Sequence, residues 1–180
     1  MTTAAMSGSA DANASRTGVD RQARNVPTLE WIALAGILLV ATAARFYRLD
    51  TSLWYDEIDT LLNFVRLPTG ELIHSLRSNN HMFYSLQAQA AIALFSESAW
   101  SMRLPAALFG LASLVAVWAL ARRAVGRPEA LVVAFLLGIS YDHVWFSQNA
   151  RGYTGLLFWT TWATLLFARG LANAVVHLVT

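Results

Sequence analysis

The sequence predicts an all-α membrane protein, a polytopic helical bundle with short helices along one face of the bilayer. Three observations carry that prediction. Only 13% of the 180 residues are charged, against 56% hydrophobic, where a soluble domain carries about a quarter charged residues. The apolar residues are gathered in long runs separated by short polar segments, which is how membrane-spanning helices read. The arginines fall in a few connecting segments rather than along one stripe.

Composition also excludes several function classes. The chain has no cysteine, so a disulfide framework, a thiol nucleophile and a Cys-based metal site are ruled out. All 13 basic residues are arginine and the net charge is only +2. With no basic stripe, nucleic acid is not an expected partner; membrane lipids are.

Taken in order, residues 1–27 are small and polar with Arg16, Arg21 and Arg24 among them. They cannot bury a core, and the expectation is a disordered cytoplasmic tail. The apolar run that follows starts too late and is too long for a conventional signal peptide. A first span is expected over about 28–47, close to the roughly 20 residues a crossing needs. Arg45 and Arg48 at its end are expected to snorkel to the far interface. Further spans are expected over about 100–121, 128–146 and 153–168.

The stretch from His81 to Glu97 is apolar only over Ala88–Phe95 and is interrupted by Gln87 and Gln89. Such a short run is more often interfacial than spanning. If it does not cross, the tail arginines, the turn Arg122–Arg127 and Arg169 share one side, which the positive-inside rule makes cytoplasmic. Residues 50–98 and the segment around 142–152 then share the other face, with Asp50, Asp56, Glu57, Asp59, Glu71, Glu97 and Asp142. Interfacial helices are expected within 50–98. One of them begins at Tyr55, with an apolar face of Tyr55, Ile58, Leu61, Leu62 and Val65.

Three places on that face could carry chemistry. Asp56 and Glu57 open the interfacial helix; they serve either as an N-terminal cap or as a general base or metal-binding carboxylate pair. His81 is either an amphipathic filler or a phosphate- or substrate-positioning group. Arg151, followed by Tyr153, is either a helix-end arginine reaching the headgroups or a two-pronged grip on a phosphate.

Four stretches, in this order, are similar to the GT-C class of membrane glycosyltransferases: Arg45-Phe-Tyr-Arg-Leu-Asp with Leu53-Trp-Tyr-Asp-Glu, Asn80-His-Met-Phe-Tyr-Ser-Leu, Glu97 to Gly110, and Ser147-Gln-Asn-Ala-Arg-Gly-Tyr153. They most resemble the group holding protein mannosyltransferases, aminoarabinose transferases and rhizobial core transferases. The resemblance implies that residues 28–180 are the N-terminal part of a GT-C-like transmembrane domain in a longer protein of the plasma (inner) membrane. It implies transfer of a sugar from a polyprenyl-phosphate donor to an acceptor hydroxyl on a glycan, lipid or protein, at the extracytoplasmic face. Asp56 is then the catalytic carboxylate with Glu57 beside it, and His81, Arg151 and Tyr153 meet the donor. The cation at the leaving phosphate is Arg151, another arginine or a divalent metal, which Asp56 and Glu57 would hold. Where the family pattern has two prolines after the histidine, this chain has Met82 and Phe83. The competing expectation is a small, non-catalytic polytopic membrane protein with a transport or assembly role.

Overall fold

The computed structural model describes residues 28–75, 77 and 80–179, with side chains up to 171; the expected N-terminal tail lies outside the described residues. Every regular element among them is helical: α1 (Thr28–Phe46), α2 (Tyr55–Thr60), a π-helical turn (Leu61–Val65) continuing it, α3 (Thr69–His74), α4 (Met82–Phe95), α5 (Ala99–Ala124), α6 (Arg127–Ile139), α7 (Tyr141–Ser147) and α8 (Tyr153–Val179). The chain is an all-α membrane protein. Among the described residues α1 and α5 are each long and apolar enough to cross a bilayer, and α6 with α7 forms a third candidate bent by 62°. The expected third span is therefore two helices broken at Ser140. α4, at 14 residues, is roughly 21 Å long at about 1.5 Å per residue, short of the roughly 30 Å hydrocarbon core.

α5 is the axis of the bundle, in contact with α4, α6, α7 and α8. Its start is well specified: the Ser98 side chain accepts from the Ser101 backbone N–H, and the Ser101 hydroxyl returns to the Ser98 N–H, a reciprocal cap that satisfies two orphan donors. Small residues, Ala106, Ala107, Gly110, Ser113 and Ala116, are buried along it and let its neighbours approach closely, as helix packing in lipid requires.

Side-chain ties define two ends of the bundle. At one end Glu30, near the start of α1, takes Arg122 at 2.6 Å and Arg127 at 3.6 Å. Arg122 lies over the Trp118 ring, which packs on Trp31. The start of α1 and the α5–α6 turn therefore lie together, as the arginine distribution suggests. At the opposite end sit the start of α5, α2, α4 and the 148–152 connection between α7 and α8.

One local expectation is corrected. Arg45 does not snorkel: its side chain is fully buried inside the bundle, because helix carbonyls and His143 receive it there. Arg48 is exposed. The expected apolar face of the interfacial helix is divided between the bundle and the outside. Tyr55, Ile58 and Leu62 are exposed, whereas Glu57, Thr60, Leu61, Phe64 and Val65 are buried. A buried charge partner for Glu57 outweighs the apolar pattern, and the π turn shifts the register of Leu61–Val65.

Candidate active site

The site forms where α2, the start of α4, the start of α5 and the 148–152 connection meet. Its foundation is Glu57. The carboxylate is fully buried and accepts four N–H groups. Oε1 takes Arg103 Nε at 2.8 Å and the Ala150 backbone N–H at 2.7 Å. Oε2 takes Arg103 Nη2 at 2.5 Å and the Trp54 backbone N–H at 3.1 Å. A buried charge is tolerated when it is paired and its remaining lone pairs are used. Arg103, on the second turn of α5, spends its other donors on the carbonyls of Leu49, Thr51 and Ser52. One two-pronged ion pair thus fastens the segment after α1, the start of α2, α5 and the 148–152 connection to each other.

That arrangement aims the neighbouring residue outward. Asp56 does not cap α2, because the N-cap position is Trp54 and Glu57 takes its N–H. Asp56 Oδ2 meets Arg151 Nη2 at 2.6 Å. The two partners differ in access: the Asp56 side chain is 36% exposed and that of Arg151 only 6%. Arg151 is thus a buried, oriented cation next to a reachable carboxylate, and not a headgroup-reaching helix end.

His81 and Tyr153 complete the group. Their rings lie edge to face at 5.2 Å, and Tyr153 also packs on Phe146. A Cβ placed on Gly152 would come within 3.3 Å of His81 Nδ1, so the absence of a side chain there is what lets the histidine sit against the connection. Burial, and then the nearby Arg151 cation, hold the His81 pKa below its ordinary value of 6.5. The neutral ring can offer one donor and one acceptor. All five residues marked in the sequence are therefore brought to one end of the bundle.

A cleft of about 280 Å³ opens from this point, lined by His81, Phe83, Phe109, Gly152, Leu156 and Trp159 among others. A second apolar groove of about 310 Å³ runs between α4 and α5 and shares Gln87 and Phe109 with the first.

A divalent metal does not fit Asp56 and Glu57 as they stand. Both oxygens of Glu57 are saturated by N–H donors, one of them a guanidinium, and Asp56 faces a second guanidinium. Among the described residues no three His, Asp or Glu side chains gather in metal-binding geometry.

A family model described as dolichyl-phosphate-mannose-protein mannosyltransferase matches residues 81–176, just over half of the chain. The chain belongs to that family. No curated protein and no solved structure matches it. Membership establishes a glycosyltransferase module of the GT-C type and a glycosyltransferase function in general. The matched segment holds His81, Arg103, Arg151 and Tyr153, whereas Asp56 and Glu57 precede it. The two carboxylates are tied to the matched segment by the Arg151–Asp56 and Arg103–Glu57 contacts. Arg103 was missed in the sequence, where it reads as one of several helix arginines. The signal that could have found it is a cation placed inside an apolar run, which needs a partner.

Proposed function

We propose that the chain is the N-terminal part of a GT-C-like transmembrane domain that transfers a sugar from a polyprenyl-phosphate donor to an acceptor hydroxyl. The observation that carries this reading is the 2.6 Å pair of a reachable Asp56 and a buried Arg151, where Arg151 directly precedes Gly152, which with His81 lines an apolar cleft. A lipid phosphate has those two needs: a fixed cation for the head and an apolar path for the tail. The reaction takes place at the end of the bundle opposite the Arg122–Arg127 turn. The arginines of that turn make their own end cytoplasmic and the site extracytoplasmic, in the inner membrane of the cell.

Arg151 holds the donor phosphate through charge-assisted hydrogen bonds, the geometry for which a guanidinium is suited. Its turn toward the phosphate releases Asp56. The Asp56 carboxylate then accepts the proton of the acceptor hydroxyl as that oxygen bonds to the anomeric carbon. The anomeric carbon–phosphate oxygen bond breaks, and polyprenyl phosphate leaves with the electron pair, its charge met by Arg151. Glu57 stays with Arg103 throughout and orients Asp56 rather than reacting. His81 lines the phosphate end of the cleft, and Tyr153 packs against its ring. The acceptor is a glycan, lipid or protein hydroxyl.

Arg151→Ala tests the donor half of this reading. The variant should insert and fold normally while its affinity for a prenyl phosphate falls by roughly 1.5–3 kcal/mol, the worth of a hydrogen bond to a charged group. Unchanged prenyl-phosphate binding, measured by calorimetry in nanodiscs, contradicts the assignment of Arg151.

A further inference from the structure

We infer that Arg45 is a positioning residue of the transfer site, acting through His143 and the α6–α7 bend on the connection that carries Arg151. The inference rests on the reading of Arg151 given above and concerns a second polar cluster, inside the bundle and separate from the site.

Arg45 lies on the last turn of α1, fully buried. Its Nη1 donates to the carbonyls of Ala41 at 3.0 Å and Gly138 at 3.1 Å, and its Nη2 donates to His143 Nδ1 at 2.5 Å. No carboxylate is among these partners in the described residues. The compensating partial negative charge comes from backbone carbonyls: Ala41 lies one turn back from Arg45 within α1, and Gly138 is in the last turn of α6. The last four carbonyls of a helix lack intrahelical donors and carry its negative pole. In an unbroken helix the Gly138 carbonyl would accept the backbone N–H of residue 142. The 62° break at Ser140 removes that donor, and Arg45 replaces it. The guanidinium thus satisfies the bend at the point where the bend exposes the backbone.

The hydrogen-bond directions continue consistently. Because His143 Nδ1 accepts from Arg45, the ring proton is on Nε2, which donates to Ser113 Oγ at 2.9 Å. The Ser113 hydroxyl in turn donates to the Gly110 carbonyl at 2.8 Å. One relay therefore joins α1, α5, α6 and α7. The contact of α7 with α5 is close enough that a Cβ on Gly110 would lie 2.8 Å from Ser147 Cβ and 3.3 Å from Arg45 Nε. Immediately after α7, Gln148 Nε2 donates to the carbonyls of Ala44 and Tyr47 at 2.9 and 3.0 Å, on the turn of α1 that also carries Arg45. Two residues later the Ala150 N–H is held by Glu57. Arg151 follows. The backbone leading into it is held at Gln148 by the end of α1 and at Ala150 by the Glu57–Arg103 pair.

A buried cation without a counter-ion is a poor way to gain stability, since apolar packing of equal volume often does as well. What the cation provides is direction: planar donors that fix the angle of a broken helix. The angle matters because a misplacement of about 1 Å at a reacting group can cost about a hundredfold in rate.

The test uses purified protein in nanodiscs with Arg45→Lys, His143→Leu and His143→Asn, and Arg151→Ala as reference. Two quantities are read: amide deuterium uptake across residues 141–152, and affinity for a C20 prenyl phosphate. Lysine keeps the charge but cannot bridge Gly138 and His143 together. Arg45→Lys and His143→Leu are expected to raise uptake at 148–152 and weaken prenyl-phosphate binding about tenfold, with uptake in α5 and the thermal midpoint near wild type. His143→Asn keeps an acceptor oxygen in the place of Nδ1 and should retain most of the affinity. Unchanged uptake at 148–152 in both disruptive variants overturns the inference whatever binding does. A rise in uptake over every helix with a fallen midpoint also overturns it, because the role is then general stability. If wild type and Arg151→Ala bind the prenyl phosphate equally, the phosphate reading fails, while the uptake result still decides the positioning role.

Discussion

Glu57→Gln is the substitution with the largest structural consequence that can be worked from the contacts. Glutamine has nearly the same shape, so packing is preserved and only charge and hydrogen-bond polarity change. All four groups around the wild-type carboxylate are donors, two on each oxygen. Whichever oxygen becomes the amide nitrogen loses both of its bonds and points its own hydrogens at two N–H groups. The loss includes a hydrogen bond to Arg103, and bonds to charged groups contribute about 1.5–3 kcal/mol each. Arg103 is also left as a buried cation without its counter-charge, a situation that costs about 3–5 kcal/mol. A destabilisation of about 4 kcal/mol is expected, close to a thousandfold in the folding equilibrium at about 1.4 kcal/mol per decade. Reversible denaturation in mixed micelles, followed by tryptophan fluorescence, gives the value directly. Asp59→Asn is the comparison on the same helix: Asn63 donates to Asp59 Oδ1, a bond that an amide oxygen also accepts, so the change should cost less than Glu57→Gln. A Glu57→Gln effect below about 1 kcal/mol refutes the argument that this carboxylate is a structural hub.

Two further predictions concern pH and topology. His81 has its pKa held below 6.5 by burial and by Arg151, so the folded state binds fewer protons there than the unfolded state. Its contribution is present above the unfolded value and is lost as pH falls through the folded value; the thermal midpoint should therefore drop on acidification below about pH 6.5, and less so in His81→Gln. An identical drop in the variant contradicts this. Because the chain has no native cysteine, single cysteines at Ala124 and Ser52, both exposed, should be labelled by an impermeant thiol reagent from opposite sides of the membrane; labelling from one side contradicts the proposed orientation.

The candidate site residues were more legible in the sequence than the contacts that hold them. Asp56, Glu57, His81, Arg151 and Tyr153 stand in polar interruptions of apolar runs, and residues of that kind are visible one at a time. The helices α1 and α5 were equally visible, because length and apolarity alone specify a crossing. Pairings were not. Whether Glu57 or Asp56 faces outward depends on Arg103, 46 residues further along by the difference of their numbers, and nothing local encodes that distance. The same holds for Arg45. A helix-end arginine normally reaches water, and only the break at Ser140, with its freed carbonyls, makes an inward course favourable. The inward position of Glu57 was not legible either, because nothing local shows that a buried cation awaits it.

The most direct test of the central claim is sugar transfer by the Asp56→Asn variant in membranes supplied with a lipid-linked sugar. Asparagine can keep a hydrogen bond from Arg151 through its amide oxygen and preserves the shape of the side chain, so expression and insertion should stay near wild type; the stability loss should be smaller than that of Glu57→Gln, because the Asp56 side chain is 36% exposed and water screens the lost charge. The amide cannot accept the acceptor proton, and transfer should fall to background while prenyl-phosphate binding persists. Retention of most of the transferase activity by Asp56→Asn would contradict the assignment of Asp56 as the base.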